Sequence, residues 1–114
     1  METCFTPLNA AFHALSDPTR RAVISRLMTS PAPVKELAAP FAMGLPAFLK
    51  HLRVLENSGL ITTEKTGRTR TCRVQMARLE EAEAWLGEQR ALWTAGADRL
   101  ASYRRNPHDT EHRP

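Results

Sequence analysis

Cysteine is scarce in this sequence. Cys4 and Cys72 are the two thiols in 114 residues, too few for the disulfide framework of a small secreted domain. No stretch approaches the ~18 consecutive apolar residues of a membrane span. The opening Met1-Glu2-Thr3-Cys4-Phe5-Thr6-Pro7 lacks a basic region ahead of an apolar one, so no secretory signal is expected. A Gly-rich phosphate loop, a nucleophile–base set and a plausible acidic pair are also missing, which argues against an enzyme. What is present is ordinary: 42% hydrophobic and 25% charged residues, the proportions of a soluble globular domain. At ~114 residues such a domain buries roughly two-thirds of its unfolded surface. The expectation is a small cytoplasmic protein with one domain over residues 1–105 and a polar tail over 106–114.

Acidic charge is the scarcer sign, with 12 Asp and Glu against 16 Lys and Arg and a net charge of +4. Between Met43 and Arg73 stand six cations, Lys50, Arg53, Lys65, Arg68, Arg70 and Arg73, against Glu56 and Glu64. The remainder carries ten charges of each sign and cancels. All of the net charge therefore lies in one short region. A localised basic patch is the electrostatic footprint of nucleic-acid binding, although a merely solvated basic face has the same composition.

The hydrophobic pattern is helical at first. Leu8, Phe12 and Leu15 share one face, and Asp17-Pro18 then supplies an N-cap and a first helical residue. Val23, Ile24, Leu27 and Met28 line the next helix before Ser30-Pro31-Ala32-Pro33 breaks it. A short helix is expected over Val34–Phe41, with Leu37, Ala38 and Phe41 on one side. Ala42-Met43-Gly44 makes a tight turn into a helix over Leu45–Asn57, whose apolar face is Phe48, Leu52 and Leu55. Asn57-Ser58-Gly59 stops it. The period then changes: Leu60–Lys65 reads as a strand, Thr66-Gly67-Arg68 as a turn and Thr69–Gln75 as a returning strand. Ala77–Arg105 is a long helix with acidic residues at its start and basic ones at its end, as the helix dipole favours.

Helix, tight turn, helix and a two-stranded hairpin with a basic tip make a winged helix-turn-helix. The expected fold class is mainly α, with a β-hairpin wing and a long terminal helix. The second helix of such a unit enters the major groove of DNA. With Phe48, Leu52 and Leu55 turned inward, Pro46, Ala47, Lys50 and Arg53 face outward, and Leu49 and His51 lie at the margins. Lys50 and Arg53 suit phosphates, and His51 suits a base edge or a phosphate. From the wing tip, Lys65, Arg68 and Arg70 suit the backbone or the minor groove, where a narrow A·T-rich stretch attracts arginine.

Three segments resemble bacterial ArsR-type winged-helix repressors. They are Ala14-Leu15-Ser16-Asp17-Pro18-Thr19-Arg20-Arg21, Val34-Lys35-Glu36-Leu37-Ala38 and Lys50-His51-Leu52-Arg53-Val54-Leu55-Glu56-Asn57-Ser58-Gly59-Leu60-Ile61. The likeness covers residues 8 to 103. It implies a homodimer that represses its own operon by binding double-stranded operator DNA until an inducer acts, with the terminal helix serving dimerisation. Leu8, Phe12, Leu86, Trp93, Leu100 and Tyr103 are the dimer-interface candidates that follow. The sequence departs from the family in two respects. Gly44 and Leu49 stand where serines are common, so Leu49 offers an apolar contact, such as one to a thymine methyl. The segment Val34–Phe41 also lacks the Cys-x-Cys of the arsenic sensors, and Ala77–Arg105 has no histidine for a zinc-type site.

No cofactor or metal is expected. His108 and His112, four residues apart in the tail, make a weak ligand pair beside the plainer reading of a solvated tail. Cys4 and Cys72 are open to a redox role, because thiolates near Arg70 and Arg73 gain reactivity, or are two unrelated thiols. His13 reads as a surface or interface residue, and Trp85, Trp93 and Tyr103 as dimer packing. The alternatives to a DNA-binding repressor are a winged-helix protein-interaction module and a thiol-responsive repressor.

Overall fold

The computed structural model describes residues 6–105; Cys4, His108 and His112 lie outside them. Five helices and three strands follow in the order α1 (Pro7–Ala14), α2 (Pro18–Leu27), β1 (Ala32–Pro33), α3 (Val34–Ala38), α4 (Leu45–Asn57), β2 (Ile61–Thr66), β3 (Thr69–Val74) and α5 (Met76–Arg105). The described residues divide into two compact units, one running to Ala82 and the other beginning at Glu83. No helix among the described residues is long and apolar enough to cross a membrane.

Local signals explain most boundaries in the first unit. Thr6 Oγ1 accepts from Asn9 N–H at 3.2 Å and caps α1. Asp17 Oδ2 accepts from Arg20 N–H at 3.1 Å and caps α2, and Pro18 follows where its missing N–H costs nothing. Gly44 begins α4 without a side-chain cap, as the sequence implies. The end of α4 is a Schellman motif: Leu60 N–H donates to Leu55 O and Gly59 N–H to Glu56 O, with Gly59 at φ +83. A Cβ at Gly59 would lie 2.8 Å from Arg78 Nε, so space and backbone both call for glycine.

The sheet has three strands rather than the expected two. Its order is β1-β3-β2, all antiparallel, with Ala32 opposite Cys72 and Pro33 opposite Thr71. The segment read only as a break thus adds an edge strand. Proline is tolerated there because an edge strand bonds on one side and can leave a missing N–H facing outward. α3 ends at Ala38 instead of Phe41: Ala39 keeps helical dihedrals as the C-cap, with its N–H donated to Lys35 O, and Pro40 then has no N–H to continue the ladder. Phe41 still joins the packing, its ring centroid 5.5 Å from that of Phe48.

Phe48, Leu52 and Leu55 are buried as the pattern of α4 predicts, together with Val23, Ile24, Leu27, Leu37, Leu60 and Ile61. Each fully buried Leu, Ile or Phe contributes roughly 1.5–3 kcal/mol. α1 packs on α4 with Ala11 and Ala14 fully buried, while Leu8, Phe12 and Leu15 are half-buried. In the second unit the side chains of α5 are largely exposed, among them Leu86, Leu92, Trp93, Leu100 and Tyr103.

Candidate nucleic-acid interface

Burial of Phe48, Leu52 and Leu55 fixes the rotation of α4. The helical period then turns Pro46, Ala47, Leu49, Lys50 and Arg53 to solvent, and all five are exposed. His51 is the exception, being half-buried. Its Nδ1 lies 3.1 Å from Arg20 Nη1 and 3.7 Å from Asp17 Oδ2. One edge of the ring is therefore used inside the protein, leaving Nε2 as its remaining polar atom. Desolvation at the start of α2 pushes the Asp17 carboxyl up. The Arg20 N–H bond, the His51 charge, the Thr19 N–H and the Arg20 guanidinium outweigh that effect and hold its pKa below the ordinary value.

The hairpin presents Lys65, Arg68 and Arg70, all exposed. Gly67 turns the tip at φ +63. Lys65 pairs with Arg70 across the strands and Thr63 with Cys72, so the twofold strand period puts Arg70 on the same face as Cys72. Arg73, paired with Thr62, lies on the opposite face. Arg70 Nη1 donates to Thr63 Oγ1 at 2.9 Å, and that hydroxyl donates to Glu56 Oε2 at 3.0 Å. Wing and α4 are thereby joined beside a cleft of about 360 Å³ lined by Leu49, Arg53, Glu56 and Arg70. A second cleft of about 420 Å³ has Lys35, Leu45, Arg68 and Arg70 in its walls.

Lys35, Thr63 and Arg20 belong to this surface or its support, and sequence reasoning did not select them. The lone signal for Lys35 was its place opposite the buried Leu37. Arg20 had none, because a buried arginine looks in sequence like any surface arginine.

Cys72 departs from the redox expectation. It is fully buried. Burial pushes the thiol pKa up, Glu56 adds to the rise, and Arg70 only partly opposes them. A buried, protonated thiol is a poor nucleophile, and Arg73 faces the other side of the strand. Among the described residues no group of three or more His, Cys, Asp or Glu side chains is placed to hold a metal.

The fold and its basic helix–wing surface define a winged helix-turn-helix regulator. A helix-turn-helix domain model matches residues 15–64. A crystal structure of an ArsR family transcriptional regulator is 54% identical, covering 78% of this chain and 98% of that one, with a TM-score of 0.75. An ArsR-like transcriptional regulator from Rhodococcus sp. RHA1 is 30% identical over 87% of this chain and 91% of its own, with a TM-score of 0.68. This chain belongs to the ArsR family of transcriptional regulators.

Curated relatives agree over shorter spans. HTH-type transcriptional regulator Rv2034 of Mycobacterium tuberculosis is 39% identical over 61% of this chain and 64% of its own length. HTH-type transcriptional regulator NmtR of the same organism is 35% identical over 53% and 50%. The match thus spans less than two-thirds of either protein.

Proposed function

We propose that the chain is a homodimeric repressor that binds a pseudo-palindromic DNA operator. α4 enters the major groove, with Lys50 and Arg53 on phosphates, Pro46, Ala47 and Leu49 against base edges, and His51 donating beside them. The wing lays Lys65, Arg68 and Arg70 along the backbone. The observation that carries this reading is the pairing of the exposed face of α4 with a cationic hairpin in one compact unit. That geometry matches a negatively charged groove wide enough for a helix.

The large apolar side chains on α5 supply the reason for a second copy. Leu86 is 53% and Trp93 77% exposed, an arrangement that disfavours a free monomer in water. They, with Leu100 and Tyr103 and with Leu8 and Phe12 of α1, are the side chains offered to a partner subunit. A twofold dimer presents two recognition helices to half-sites one helical turn apart. Repression is supported by the likeness to transcriptional repressor SdpR of Bacillus subtilis, 25% identical over 69% of this chain.

The test is footprinting and gel-shift titration on the DNA upstream of the chain's own gene, repeated across a salt series. A protected two-half-site segment, with affinity falling steeply as salt rises, is expected. Absence of duplex binding at low salt, or binding indifferent to salt, would leave a protein-interaction module as the better reading.

A further inference from the structure

Asp17, Arg20 and His51 meet behind the face assigned to DNA, and capping explains only part of their arrangement. Arg20 is 9% exposed, a degree of burial arginine tolerates when its donors are matched. Nε donates to Ala14 O at 2.7 Å and Nη2 to His13 O at 3.2 Å. Two of its nitrogens thus hold the end of α1. The third, Nη1, meets Nδ1 of His51 on α4 at 3.1 Å.

A guanidinium only donates. Nδ1 must therefore present its lone pair, and the neutral ring carries its proton on Nε2. The competing partner is the Asp17 carboxylate, but 3.7 Å from Oδ2 to Nδ1 is beyond hydrogen-bonding range. The nearer group decides the tautomer.

We propose that Arg20 is a positioning residue for DNA recognition: through its bond to Nδ1 it locks His51 as the Nε2–H tautomer, so that α4 offers DNA a donor there. A donor suits phosphate oxygens and the guanine O6 and N7 acceptors of the major groove; the other tautomer would turn a lone pair toward a negatively charged surface. The same guanidinium ties the ring to the carbonyls of His13 and Ala14 at the end of α1. The final step, donation to DNA, rests on the reading given under the proposed function. The tautomer is a property of the free protein.

The experiment has two arms. Long-range nitrogen–proton spectra of the free full-length chain are recorded at about pH 8.5, where imidazoles are neutral. A pyridine-like Nδ1 and a pyrrole-like Nε2 are expected for His51, with the bias lost in Arg20→Met. An Nδ1–H ring, an even tautomer mixture, or a bias unchanged in a folded Arg20→Met variant would overturn the proposal. In the second arm, His51→Asn keeps an acceptor at the Nδ1 position and has no group at Nε2, whereas His51→Gln does the reverse. His51→Asn should melt like the wild type yet bind duplex about tenfold more weakly. His51→Gln should retain more affinity while losing thermal stability. Wild-type affinity in His51→Asn would remove the donor role. If the unsubstituted chain binds no duplex, the DNA reading and the donor role both fail, and the spectra still decide whether Arg20 sets the tautomer.

Discussion

Arg70 reaches diagonally across the hairpin to Thr63, Nη1 donating to Oγ1 at 2.9 Å, and the hydroxyl passes the link to Glu56 of α4. One hydroxyl thus accepts from the wing and donates to the recognition helix, fixing the splay between them. Thr63→Val keeps the β-branched shape of the strand and deletes both bonds. Duplex affinity is expected to fall about three- to tenfold in a gel-shift titration. The melting temperature should move little, because the bonds are exposed. Unaltered affinity would mean that the wing is positioned by other contacts.

Lys50 and Arg53 project from α4 away from its buried face. Lys50→Ala and Arg53→Ala should each weaken binding to specific and random duplexes alike. Each should also flatten the slope of log affinity against log salt by about one unit. The measurement is a salt titration of both variants, and slopes equal to the wild type in both would place α4 outside the groove.

Asp17 gives a pH dependence whose sign follows from its depressed pKa. A carboxylate more acidic in the folded than in the unfolded state adds stability above its unfolded pKa of about 3.9. That contribution is lost as pH falls through the folded value. Asp17→Ala should cost about 1 kcal/mol at pH 7 through the lost cap. The gap from the wild type should narrow once the pH is taken below about 4. A gap that stays constant from pH 7 to pH 3 in denaturant titrations would contradict this.

Cys72 should be slow to react with a thiol reagent in the native protein and fast after unfolding, because burial holds it protonated. Mild peroxide should leave duplex binding intact. Cys72→Ser should destabilise by about 1–3 kcal/mol, since it puts a hydroxyl in an apolar site. Rapid native labelling accompanied by loss of DNA binding would revive a thiol switch.

Trp93, the most exposed of the large apolar side chains on α5, tests assembly. The wild type is expected to sediment as a dimer at micromolar concentration. Trp93→Glu should shift it toward monomer and weaken operator binding more than tenfold, because two half-sites are no longer held together. A monomeric wild type would remove the dimer from the proposal.

Much of the fold was legible because its signals are local. Asp17-Pro18 and Ser58-Gly59 mark helix ends by their own backbone chemistry. Phe48, Leu52 and Leu55 repeat at a spacing that only a helix turns to one side. From that stripe the outward set, Lys50 and Arg53 included, follows by geometry alone. The change to β-branched residues after Leu60 and the glycine at position 67 likewise announce a hairpin without reference to distant parts of the chain.

Long-range packing decided the rest. Ala32-Pro33 becomes a strand because β3 has a free edge beside it, and nothing in Ser30–Pro33 itself announces that partner. Cys72 is buried, with its thiol pKa raised, because its strand face turns inward. Arg70 lies toward α4 and Arg73 away from it for the same reason. His51 looked like a plain surface contact until the fold brought it to Arg20, 31 residues away in sequence. Helical period places a side chain on a face, and local chemistry ends a helix. Which buried donor meets which acceptor depends on how the helices dock, and that was settled only by the tertiary structure.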